Sequence, residues 1–465
     1  MKIKDKNKGA VLFMVIIFSI ILSVAGMAYL YMSQSERIFV RQQVNMSKSF
    51  YLAEAGYERA KAWLMINFHK YSNAAAPFDP FGGVQTLPSG SYKITVRPDP
   101  GNPGSVEKLY VISSTGTSGN IDKPLESEVK IYNFAKFAYF SDKEKAGGAV
   151  NIASADYYDR IWFTDYDWYQ GPVHSNDEIS INGKPAFSVD AGGDFEISSS
   201  TGFYYRFVDT SINGATRSAL EGAGGNVLTG QLELGSTTYP VVPYINMYKN
   251  WNLQRLETAA NDDGLYLDGD YAIEVTDDDV DYGASWTIDG SSVVFVNGDI
   301  TIKSQAGFTL DVFLTIAASG TITIIDDINA DTAGGGMLGL VAGGDIMTDN
   351  TSPDNLDVDA IMMTYGSFYD SEAESRASSS PHEAQQATMT ITGGIIQDTR
   401  QPFGVAFDTV ALPSGSGSEL QGLETGYKKL PFTYDARVKD TPPPYFPVYI
   451  VEEPVYWEEK PTIRK

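Results

Sequence analysis

The 465-residue chain contains no cysteine, which excludes a disulfide framework, a thiol nucleophile and any cysteine-ligated metal. Basic residues are scarce. Lys and Arg number 34 against 59 Asp and Glu, a formal charge of -25 with a sequence pI near 4.4. Such a chain has little with which to neutralise phosphates, so nucleic acid is excluded as a partner. Histidine is limited to His69, His174 and His382, which leaves few imidazoles for proton transfer or metal ligation. Charge is also missing locally: no Asp, Glu, Lys or Arg occurs between Ala10 and Ser35. Within that window Ala10 to Tyr31 is an apolar run of about 22 residues, or roughly 33 Å as a helix, enough to cross a bilayer. Aromatics make up 12% of the chain and charged residues only 20%, a balance that fits an ordered β-rich exterior rather than an acidic disordered tail.

What precedes the apolar run is short and basic. Residues 1–9 carry Lys2, Lys4, Lys6 and Lys8 against Asp5, which holds the N-terminus on the cytoplasmic side and sends the remainder outward. A secretory signal would have a shorter apolar core followed by a small-residue cleavage site. Here the Gly9-Ala10 bond lies before the run, so cutting there keeps the membrane helix. This arrangement resembles the type IV prepilin leader. The resemblance implies removal of residues 1–9 by a prepilin peptidase, N-methylation of Ala10, and an inner-membrane assembly platform as partner. It also implies a helix that exchanges membrane lipid for other pilins or minor pilins. The alternative is a plain single-span anchor with an incidental glycine.

Helical spacing continues past the first charge, Glu36. Phe39, Met46, Phe50, Ala53, Tyr57, Ala60 and Leu64 recur at steps of seven, four and three with Gln43 as a polar interruption, one seam along one helix face. The spacing predicts a continuous helix from Ala10 to about Phe68, ended by Asn73 and Pro77. Within it, Tyr51-Leu52-Ala53-Glu54-Ala55-Gly56-Tyr57-Glu58-Arg59-Ala60 is similar to a signature of PilX-type minor pilins. Ala53, Gly56 and Ala60 form a small-residue strip on which another element can approach closely. Alternating segments at 91–97, 108–115 and 125–131, separated by Gly, Pro and Asn turns, predict a small antiparallel sheet within 69–135 that covers the outer half of the helix.

Beyond residue 135 a short pattern repeats: a small residue, Gly or Asn, often an acid, then alternating β-formers. Its glycines Gly298, Gly320, Gly344, Gly366 and Gly394 are separated by 22, 24, 22 and 28 residues, with an earlier copy at Gly193. A period in the low twenties with a glycine corner is what a parallel β-helix requires, each glycine taking a corner of positive φ. A β-sandwich with similar strands is the alternative. The expected architecture is thus an α+β pilin-like module followed by a mainly-β head over 136–440, a parallel β-helix or solenoid. An insertion is expected over about 201–285 with a helix from Tyr244 to Ala260, and the Pro-rich tail 441–465 as extended chain wrapping the body or closing the last coil.

Gly171-Pro172-Val173-His174-Ser175-Asn176 resembles the opening of a bacterial domain family of unknown function that commonly follows pilin-like leaders. No second His or fixed acid lies at ligand spacing from His174, so a hydrogen-bonded corner is the expected role. Asp262, Asp263, Asp268 and Asp270 form a candidate Ca²⁺ site of oxygen ligands near Gly and Asn, without the twelve-residue EF-hand spacing; no other cofactor is expected. A glycan-cleaving reading would use Asp165 and Asp167 beside Trp162, Tyr166, Trp168 and Tyr169. If Ala10 is the mature N-terminus, the fifth residue is Met14, where major pilins carry a Glu. In that respect the chain resembles the minor pseudopilin that caps secretion filaments. The reading is a non-enzymatic minor pilin-like subunit of low copy number, at a filament tip or in an initiating complex, displaying an acidic head. The alternatives are a membrane-anchored surface protein whose β-helix binds polysaccharide or a partner, and a glycan-active enzyme.

Overall fold

The computed structural model describes residues 8–71, 76–98, 107–144, 162–163, 167–177, 179–181, 244–276, 279–288, 292–304, 309–331, 335–371, 388–401, 430–439 and 441–451. Short strands at 186–188, 195–197, 203–205, 226–228, 231–234, 237–239, 404–405, 409–411, 418–420, 425–426, 457–459 and 463–464, and residues 290, 403 and 427, are described as well. Helix α1 spans Lys8–Tyr71, 64 residues, or about 96 Å at 1.5 Å per residue. No proline interrupts it, and it runs slightly beyond both expected ends.

The two halves of α1 have different surroundings. Val11, Phe18 and Leu30 are each more than 60% exposed, whereas Leu52, Ala53, Ala60, Leu64 and Met65 are buried. The expected seam is thereby divided: Phe39 is 66% and Met46 40% exposed, and burial of the helix begins near Ser49. The boundary is where the sheet starts, marked by the Ser49 hydroxyl donating 2.8 Å to the Ile121 carbonyl.

Strands β1 (Gln85–Leu87), β2 (Gly90–Pro98), β3 (Glu107–Ser118) and β4 (Ile121–Asn133) pair antiparallel in that order. Period-two alternation puts Tyr92, Ile94, Val96, Tyr110, Ile112, Val129 and Ile131 in one core with Ala60, Leu64 and Met65 of α1. Beyond β4 the chain enters the head through β5 (Tyr139–Lys143) and β6 (Val173–Ser175). It then passes through α2 (Lys249–Asp263), which begins later than the expected Tyr244.

The head contains two rows of stacked strands. In the first row β7 (Leu265–Asp268), β9 (Ser292–Asn297), β11 (Phe313–Ala318), β13 (Met337–Ala342), β15 (Asn355–Thr364) and β17 (Thr388–Thr399) are all parallel neighbours. In the second row β8 (Tyr271–Val275), β10 (Ile300–Ser304), β12 (Ile322–Ile324), β14 (Ile346–Thr348) and β16 (Phe368–Asp370) are likewise parallel. This second sheet is mixed, because β8 also pairs antiparallel with residues 279–281, and those with 285–287. Within the insertion expected over 201–285, residues 265–268 and 271–275 are members of the rows.

Register explains the stacking. Leu265, Val294, Ile316, Leu340, Met362, Ile395, Tyr139 and Val173 are successive partners along the first row, so early strands β5 and β6 lie beyond β17. Inward Val294, Ile316 and Leu340 meet Ile300, Ile322 and Ile346 of the second row. Outward Val293, Phe295 and Ala317 meet Leu256, Ala259 and Ala260 of α2. Burial on both faces is why these strands read as unbroken apolar runs.

The C-terminal segment departs from expectation. Rather than wrapping the body, β18 (Val448–Val451) pairs antiparallel with β4, and residues 457–459 and 463–464 pair farther along that strand. Pro442, Pro443, Pro444 and Pro447 precede β18, and after Pro447 an alternation of side chains directs Val448 and Ile450 into the α1 core and Tyr449 toward α2. The head is consequently inserted between two neighbouring strands of the N-terminal sheet.

Candidate functional site

Among the described residues most of the exposed large hydrophobic side chains lie on the stem of α1. Among the described residues it is the helix long and apolar enough to cross a membrane. The Ser19 and Ser23 hydroxyls each donate 2.8 Å to the carbonyl four residues earlier, which suits a lipid-facing helix. Met14 lies on this surface at 71% exposure. Gly9 and Ala10 are both within the helix, and Ala10 is exposed.

At the other end of α1 the decamer meets the sheet. Ala53 and Ala60 are buried, Phe50 is half-buried, and a Cβ on Gly56 would fall on Ser114 and 2.9 Å from Tyr92 Cδ2. The reciprocal contact is Gly116 of β3, where a Cβ would fall on the Ser49 carbonyl and 2.5 Å from Ala53 N.

The Gly-Pro-Val-His-x-Asn segment is a pin rather than an open cleft. Gly171 adopts φ +119°, and a side chain there would meet Tyr434 and Ala138 Cβ atoms at 2.6 and 2.8 Å. The Pro172 carbonyl accepts from Ala138 N and Tyr139 N. His174 is fully buried, stacked 4.9 Å from Phe140 at 2°, and its Nε2–H points to Asn176 Oδ1 at 3.0 Å. Asn176 also accepts from Ile245 N at 3.0 Å and donates to Ile245 O and Asp142 Oδ1 at 2.8 and 2.7 Å. Its carboxamide thus joins β5 and β6 to the segment entering α2. Asn176→Ala leaves buried backbone groups of Ile245 unpaired and is expected to cost about 1–3 kcal/mol, read as a lower urea midpoint at unchanged m value.

Beside this pin lies a polar network that sequence reasoning missed. Glu144, fully buried, pairs with Arg400 at 3.2 Å. It accepts from Tyr139 Oη at 2.9 Å and from Ser141 Oγ, and the Ser141 and Ser175 hydroxyl oxygens lie 3.0 Å apart. Gln397 donates to Tyr139 Oη at 3.3 Å.

The corner glycines are placed in one column, but for a reason other than the expected one. Gly298, Gly320, Gly344 and Gly366 do not have positive φ. They are glycine because atoms from the corresponding turn one strand pair earlier lie in the space of a side chain. Asp270 Oδ1 accepts from Asp299 N at 2.9 Å, Asp299 Oδ1 from Thr321 N at 2.7 Å, and Asp345 Oδ1 from Ser367 N at 2.7 Å. A Cβ on Gly298 would lie 2.8 Å from Asp270 Oδ1, and one on Gly320 or Gly366 would fall on the Asp299 or Asp345 carboxylate. Each acid reaches beneath the next corner, and only glycine leaves room for it. Gly394 lies away from this column, beneath the Phe137 carbonyl, with φ +147° at its neighbour Gly393.

The acids considered for Ca²⁺ are separated by role. Asp262 and Asp263 end α2, whereas Asp268 accepts from Asn297 Nδ2 at 2.9 Å and Asp270 serves the corner column. Among the described residues no three His, Asp or Glu converge on a point. Asp165, Tyr166 and Gly193 lie outside the described residues, as does His382; Trp162, Asp167, Trp168 and Tyr169 are described as backbone in short strands.

Residues 107–193 match a family described as a domain of unknown function, DUF4900. That match spans β3 through the Gly171–Asn176 pin, the passage from the N-terminal sheet into the head. No curated protein matches the chain. Among solved structures, the crystal structure of the competence-associated pilin ComZ from Thermus thermophilus aligns at 12% identity, over 90% of this chain and 97% of that one, with a TM-score of 0.26. At that TM-score the superposition does not establish a shared fold.

Proposed function

We propose that the chain is a non-enzymatic, pilin-like subunit anchored in the cytoplasmic membrane with its bulk exported, used in building, initiating or tipping a type IV pilus or related filament. One observation carries this reading: a helix exposed on every side over Val11 to Tyr31 continues without a break into a buried half built into a sheet. A surface of that size needs a solvent other than water, first lipid and then neighbouring helices. The basic leader places Gly9-Ala10 for a prepilin peptidase, and the absence of a carboxylate at Met14 favours a tip or initiating position. The in-register parallel rows support a β-solenoid head that acts as an acidic display surface. Assembly proceeds by packing, with apolar stems exchanging lipid for one another at the assembly platform. Mass spectrometry of native protein is expected to find residues 1–9 removed and Ala10 N-methylated. Intact Met1, or trimming beyond Tyr31 to a soluble form, overturns the reading.

A further inference from the structure

Strand β18 is gripped where the N-terminal sheet meets the head. We infer that residues 441–451 form a lock: α2 recognises this strap, so the socket of α1 closes only when the head has folded and this segment is in place. The inference does not depend on whether the stem enters a filament.

Three elements converge on the strap. On the sheet, β18 covers the edge of β4, and Val448 and Ile450 share one core with Ala60, Leu64 and Met65 of α1. Without them that core lacks a wall. On the stack, Gly339 interrupts the apolar strand β13 because a Cβ there would lie 2.8 Å from both Phe446 and Pro443, and Thr315 Oγ1 donates to the Pro444 carbonyl. The strand surface is thus shaped to the strap.

The third element, α2, supplies recognition. Asn252 is fully buried, and its carboxamide donates to Val448 O at 3.0 Å and accepts from Val448 N at 2.9 Å, as a neighbouring strand would. Arg255 is also fully buried and donates through Nη2 to the carbonyls of Tyr445 and Phe446. Among the described residues Arg255 Nε and Nη1 have no hydrogen-bond partner and no carboxylate pairs with the guanidinium, whose pKa burial pulls down to about 10. A charge buried this way contributes little net stability but discriminates strongly, because losing the strap leaves it with no acceptors at all. Strain is concentrated in the same place. Tyr248 and Tyr445, at φ 47° and 58°, are the non-glycine residues with positive φ among those described, one opening α2 and the other in the strap. Such conformations persist only where surrounding contacts over-determine them.

Amide hydrogen exchange on the full chain tests the lock. With Arg255→Met and Asn252→Ala combined, amides of residues 130–133 and 448–451 are expected to exchange at least about tenfold faster, while those of 338–342 in the stack stay within about threefold. A chain ending at Asp440 is expected to lose β4 protection and to regain it with a synthetic 441–465 peptide. Unchanged β4 exchange in both proteins overturns the lock, as does equal loosening of the stack in the double variant. If the shortened chain aggregates, the full-length double variant decides alone.

Discussion

Glu144→Ala is expected to lower stability by about 3–5 kcal/mol, the range for removing one partner of a buried ion pair. The side chains of Glu144 and Arg400 are 0% and 8% exposed, so the remaining guanidinium would keep its desolvation cost with its counter-charge gone. Tyr139 and Ser141 would lose their shared acceptor as well. The effect is amplified by position, because these residues join β5, from the start of the head, to β17 near its end. Glu144→Ala combined with Arg400→Met is expected to recover a large part of the loss, as paired removal of buried charges does. Urea denaturation of the two variants checks this. A loss below about 1 kcal/mol for Glu144→Ala, the level of an exposed pair, would show that the ion pair is not buried in solution.

Gly116→Val is expected to detach α1 from its sheet at a cost of about 3 kcal/mol or more, at the upper end of overpacking effects. The new side chain would be driven into the Ser49 carbonyl and Ala53 N, backbone atoms of a helix that has no slack to yield. Lifting α1 also uncovers Leu52, Ala60 and Leu64. Trp63, 5.9 Å from Phe78 and 6.3 Å from Phe81, is in reach of the change, so its fluorescence and the denaturation midpoint should shift together. Gly26→Ala is the control, since nothing lies within 4 Å of its Cβ position. An unshifted midpoint for Gly116→Val would mean the crossing is looser than the contacts imply.

Local pattern made much of the fold readable and its causes less so. The spacing of Gly298, Gly320, Gly344 and Gly366 is visible in the chain, yet what demands glycine at Gly320 and Gly366 is an Asp carboxylate 21 residues earlier in sequence, and at Gly298 the Gly269 backbone with Asp270 beside it. No residue's own neighbours in sequence could reveal that. Glu144 and Arg400 are 256 positions apart, and neither carries a local signature. In the tail, Pro442, Pro443, Pro444 and Pro447 give a local pattern of extended, unpaired chain that hides the strand just behind them. On α1, periodicity extended the seam to Phe39 and Met46, which the sheet does not reach.

Periodicity and composition alone decide the rod: an uncharged run long enough for a bilayer, a helix without a breaker, three alternating strands and a glycine-paced series. These are properties of neighbouring residues, because hydrophobic spacing and chain geometry act over a few positions. What only the tertiary structure decides is which distant segments meet. The C-terminal strand belongs beside β4, an Arg in α2 is answered by carbonyls 190 and 191 residues away, and the motif histidine is stacked in a core. Those choices depend on burial and hydrogen-bond satisfaction summed over the folded chain, which no local stretch encodes.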